Sequence, residues 1–123
     1  MMGRTLYARQ WTEIITAGHS LKVYSEKVPP GYVLKVNACF FHVPEAEASD
    51  QLMICLEDGG QNIVLRSRKS TTALSGISIF NPFPVGEGDR IWAYAKDADE
   101  GDALVLNIIG EMIPASEWRN YQD

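Results

Sequence analysis

Few residues in this chain are of a type and spacing that could do chemistry. His19 and His42 are its only histidines, and neither has a second His or a Glu at ligand spacing on its own strand. A strand-borne metal site takes two close histidines and further ligands, so both read as structural or surface residues. Asp97-Ala98-Asp99-Glu100-Gly101-Asp102 could converge its carboxylates on calcium. An EF-hand loop, however, has Gly sixth and Glu twelfth, where this chain has Asp102 and Ile108. The segment reads instead as a solvated turn with Gly101 at positive φ. Gly86-Glu87-Gly88-Asp89 has no Lys and no helix after it, so it is not a phosphate loop. No Gly-x-Ser-x-Gly holds a nucleophile. No catalytic, metal-binding or cofactor-binding residue is assigned, and an enzyme is not expected.

Cys39 and Cys55 are the two cysteines. A hairpin centred near Glu47 would set them opposite each other on neighbouring antiparallel strands, within reach of a disulfide. A chain kept in the cytoplasm holds its thiols reduced, so two free thiols are expected. Two cysteines without nearby His partners are half a zinc site.

Charge narrows the partners. A formal net charge of −5 argues against a phosphate-binding surface, because nucleic acid is held where Lys and Arg cluster. Arg66, Arg68 and Lys69 come nearest to a cluster and read as a solvated strand edge. The first eleven residues lack the apolar core of a signal peptide, and no run of about 18 apolar residues occurs. Neither nucleic acid nor a membrane is expected as a partner.

The elements that must carry these residues read as strands throughout. Short ones are predicted at Thr12 to Thr16 and Leu21 to Val28, ended by Pro29-Pro30-Gly31, where no backbone donor exists for a sheet ladder. Tyr32 to His42 is the first long strand, with Leu34, Val36, Ala38 and Phe40 as its core face. Leu52, Ile54 and Leu56 follow the polar linker at 44–50 with the same parity. Asp58-Gly59 marks a tight hairpin joining 51–56 to 61–68. Ala73 to Phe80 is another strand, and Asn81-Pro82-Phe83-Pro84-Val85-Gly86-Glu87-Gly88-Asp89 a turn into Arg90 to Lys96. The last strand, Ala103 to Ile113, is apolar on both faces through Leu104, Leu106 and Ile108 on one side and Val105, Ile109 and Ile113 on the other.

The count is about eight strands joined by hairpins and proline-rich crossings, which predicts an all-β antiparallel sandwich of jelly-roll type. Residues 1–11 read as an N-terminal arm, 12–114 as the sandwich and 115–123 as a C-terminal tail. Tyr7 and Trp11 in the arm, and Trp118 and Tyr121 in the tail, are large aromatics that something should cover, either their own domain or a partner. Ile109, on the two-sided last strand, is expected at a subunit interface. Arg90, Trp92 and Tyr94 share one strand face and form a candidate platform for a sugar ring or a neighbour.

The segments Val28-Pro29-Pro30-Gly31-Tyr32, Leu56-Glu57-Asp58-Gly59-Gly60, Pro84-Val85-Gly86-Glu87-Gly88-Asp89-Arg90-Ile91 and Asn107-Ile108-Ile109-Gly110-Glu111 occur in an order that resembles small β-sandwich virion proteins of tailed bacteriophages. The resemblance implies a structural protein that decorates a capsid as a homotrimer, gripping the major capsid protein with its arms. It also implies manufacture in the host cytoplasm and residence in the virion. The alternative is a carbohydrate- or receptor-binding module of a tail or surface protein, with a glycan as ligand.

Overall fold

The computed structural model describes residues 4–16, 21–44, 51–69, 76–96 and 99–121. Among them are nine strands: β1 (Thr5–Ile14), β2 (Lys22–Tyr24), β3 (Tyr32–His42), β4 (Gln51–Asp58), β5 (Gln61–Lys69), β6 (Gly76–Ile79), β7 (Phe83–Val85), β8 (Arg90–Ala95) and β9 (Ala103–Pro114). A 3-10 helix over Ala115–Tyr121 follows. One sheet has the order β1-β9-β3-β6, with β7 also on β3, and the other β2-β8-β4-β5. Every pairing is antiparallel.

β6 pairs with residues 39–42 of β3 and β7 with residues 34–36, so the two fill one edge position interrupted at residues 80–82. Counted that way there are eight positions. Apart from the β4–β5 hairpin, the chain alternates between the sheets in jelly-roll order, and the expected sandwich is the observed one.

The core lies between the sheets. Leu104, Leu106 and Ile108 of β9 meet Leu52 and Ile54 of β4 and Ile91, Ala93 and Ala95 of β8, all buried. The parity of β3 departs from the sequence reading. Its register shifts between Val36 and Ala38, which makes Asn37 a bulge that advances the strand by one residue. Leu34 and Val36 face the core, and beyond the bulge so do Cys39 and Phe41, while Ala38 and Phe40 turn outward.

The cysteines are also apart, because β3 and β4 lie in different sheets and do not form the expected hairpin pair. Cys39 sits in the core and Cys55 on the far side of the other sheet, each a free thiol. Burial pushes the Cys39 thiol up to about 12.

Three further boundaries differ. β1 begins at Thr5, so most of the expected arm is an edge strand paired with β9 along its length. β2 stops at Tyr24, and the turn that read as irregular contains β7. Pro84 is tolerated there because an edge strand needs a donor on one side only. The Asp58-Gly59 signal did mark a tight turn, with Gly59 and Gly60 at φ 58° and 87°, the positive pair a primed hairpin requires. Among the described residues no helix is long and apolar enough to cross a membrane.

Candidate interaction surfaces

Tyr7 is covered by its own sandwich. β1 alternates Tyr7 and Trp11 inward with Leu6, Ala8 and Gln10 outward, so Tyr7 is buried and Trp11 packs against the core from the edge. The Tyr7 hydroxyl donates to Glu26 Oε1 at 2.8 Å, and the Arg9 guanidinium lies 4.8 Å from the centre of its ring and 3.5 Å from the same carboxylate oxygen. Burial first, and Glu26 second, hold the phenol above its ordinary range. Tyr7 is therefore taken up by its own core, and Trp11 packs against that core from the edge strand.

Arg90, Trp92 and Tyr94 do share the outer face of β8, but not as an open platform. Trp92 is only 9% exposed. Its indole N–H donates to Asn62 Oδ1 at 3.0 Å, reaching across β4 to β5 and closing over Cys55. Lys22 stands 4.7 Å above the indole, Tyr24 packs at 6.2 Å between ring centres, and Arg90 lies 4.2 Å over Tyr24 while pairing with Glu57. The result is a lid of alternating cations and rings that replaces a second layer on this sheet. A sugar ring would find the best stacking face already occupied. Tyr24 and Lys22 were legible only as outward positions of β2; their meeting with Trp92 follows from strand order.

Around Ile109 the outer face of the five-stranded sheet carries no such lid among the described residues. Ile109 is flanked by Ala8 on β1 and Ala38 on β3 and is 44% exposed. Phe40, turned outward by the bulge, stacks edge-on against Phe80 at 5.4 Å, and Phe80 is 65% exposed. Ala8, Gln10, Phe40, Asn107 and Ile109 line a shallow groove of about 420 Å³. Beyond it, Leu6 is 75% exposed. Neither Phe40 nor Phe80 was a candidate interaction residue in the sequence; even parity had assigned Phe40 to the core.

At the far end, the 3-10 helix packs on β3 and β9, with Trp118 half-buried beside Val33 and Pro84. Tyr121 ends that helix. Of the segment read as a solvated turn, Asp97 lies outside the described residues, as does His19. Asp102 is buried and its Oδ2 accepts from the Asp99 N–H at 2.8 Å, so its carboxylate closes the turn. Gly101 has φ 95°. His42 ends β3 at the surface. Among the described residues no three metal-ligating side chains converge.

Neither the protein-family models nor the curated proteins contain a match. Solved structures do show likenesses. The nucleoplasmin-like core of Drosophila NLP, described for pentamer formation and histone binding, is 15% identical and covers 90% of this chain and 97% of its own, with a TM-score of 0.47. The nucleoplasmin-like N-terminal domain of Drosophila FKBP39 is 12% identical, with 93% and 94% covered and a TM-score of 0.43. These neighbours are nucleoplasmin-like domains and not virion proteins. The bacteriophage resemblance is thereby overturned, and with it the capsid-decoration role, the major capsid protein as partner and the virion location. The trimer and the glycan find no support among these neighbours either.

Proposed function

We propose that this chain is a non-catalytic binding module that assembles with copies of itself through the outer face of the five-stranded sheet. The observation that carries this reading is the uncovered apolar strip formed by Ile109, Phe40 and Phe80. Both shapes needed for contact lie on it: Phe80 projects, and the groove beside Ile109 is a hollow of about 420 Å³. Phe80 of one copy seated in the groove of the next would remove both from water. Burying one phenylalanine stabilises by about 1.5–3 kcal/mol, and an aromatic anchor in a pocket is the usual centre of an interface.

Light scattering on the full chain tests the reading, alongside Phe80→Asp and Ile109→Asp. The expected result is an oligomer in the wild type and a folded monomer in both variants. A wild-type monomer, or an oligomer indifferent to both substitutions, would sink it. The fly nucleoplasmin-like core is described in terms of pentamers and histones; five copies in this measurement, and retention of histone by the purified chain, would extend the proposal to that activity.

A further inference from the structure

At the end of the sandwich where β4 turns into β5, a cleft of about 260 Å³ opens between the hairpin, the β7–β8 turn and the 3-10 helix. Its lining is apolar at Val33, Leu56, Pro84 and Trp118, and it carries two carboxylates, Asp58 and Asp89. Small-molecule sites usually occupy about 300–1,000 Å³, so this cleft suits one side chain rather than a cofactor.

Its charges are not used by the fold's own cations. The three ion pairs among the described residues join Arg4 to Glu111, Arg9 to Glu26 and Arg90 to Glu57, so Arg90, the cation next in sequence, is already engaged. Asp89 is fixed in place, its Oδ1 accepting from the Gly59 N–H at 3.0 Å. Lys35 lines a separate hollow that shares Pro84 and Trp118.

We infer that this cleft receives a cationic side chain, a lysine or arginine on the surface of a partner protein. Each part of such a side chain has a counterpart. The methylene stem lies on Val33, Leu56 and Pro84, as long cationic side chains do along apolar surface. The charged head lies against the face of Trp118, where the ring quadrupole attracts it, and donates charge-assisted hydrogen bonds to Asp58 and Asp89. An anion would meet two carboxylates, and a neutral apolar side chain would leave them facing hydrocarbon.

The test uses the isotope-labelled full chain, with N-acetyl-arginine amide and N-acetyl-lysine amide as probes and N-acetyl-citrulline amide as the uncharged control. The readouts are the Trp118 indole N–H resonance, assigned by Trp118→Phe, and the Gly59 amide. A saturable shift at both with the cationic probes, absent with citrulline, is expected. Asp58→Asn should weaken it about tenfold, as loss of one partner of a charge pair does. Asp58 takes part in no ion pair or hydrogen bond described above, so this variant keeps the fold where Asp89→Asn could loosen the Gly59 turn. Equal shifts with citrulline, no saturable shift at Trp118, or a shift unaffected by Asp58→Asn would overturn the inference. Phe80→Asp should bind the probes as the wild type does, which separates this site from self-assembly.

Discussion

A Cβ built on Gly110 would lie 2.1 Å from the carbonyl oxygen of Lys35. The contact is made where β9 passes the bulge at Asn37, Gly110 being paired with Val36 on one side of the register shift and Ile109 with Ala38 on the other. The strands approach there because the extra residue bends β3 toward its neighbour. Backbone, not a flexible side chain, would have to yield. Gly110→Ala is therefore expected to cost more than about 2 kcal/mol, in the range reserved for strain and overpacking. Urea unfolding measures it, and a change below about 0.5 kcal/mol, the size of an ordinary surface effect, would contradict the close approach.

The cover over Cys55 makes a separate prediction. Cys55 is 1% exposed although it points out of the four-stranded sheet, and the neighbour that spans it is Trp92, anchored on Asn62. Native protein should react slowly with a thiol reagent at both cysteines. In Trp92→Ala one thiol should become reactive while Cys39 stays protected in the core. Fast labelling of both would mean global unfolding, which circular dichroism would report. Slow labelling of both would show that something other than the indole covers Cys55.

Cys39 should give the protein a falling stability at alkaline pH. Its thiol is held by burial at about 12 in the folded chain, against an ordinary value of 9.0. The folded state thus keeps a proton that the unfolded state releases, and the stability this provides is present below the unfolded value and lost as pH rises from there toward 12. The slope approaches about 1.4 kcal/mol per pH unit for one proton. Urea midpoints across this window should fall less steeply in Cys39→Ala than in the wild type. Parallel profiles would exclude Cys39 as the source.

Tyr7→Phe isolates the hydrogen bond to Glu26 from the burial of the ring. The ring stays in the core, so the loss should be about 1 kcal/mol, the net worth of one hydrogen bond. Tyr7→Ala removes ring packing as well and should cost about 3–5 kcal/mol, as large-to-small core changes do. Equal effects of the two substitutions would place the ring outside the core. Thermal unfolding of the three proteins distinguishes these outcomes.

Much of the architecture is local information and could be read directly. Alternation in β8 and β9 follows from the period of an extended chain, and Gly59-Gly60 from the positive φ of a primed turn. Those features determine that the chain is a sandwich and roughly where its strands lie. What tertiary structure alone decided was which faces are covered. A single bulge at Asn37, invisible in the pattern because Phe40 and Phe41 are equally apolar, exchanges the two between the outer face and the core. Strand order then decides that Tyr7 belongs to the interior with Trp11 packed beside it, that Trp92 is closed by Lys22 and Asn62, and that Ile109 and Phe80 are left open. Hydrophobicity along a chain records that a residue should be buried. Which neighbour buries it depends on contacts between strands far apart in sequence, and those exist only once both sheets have formed.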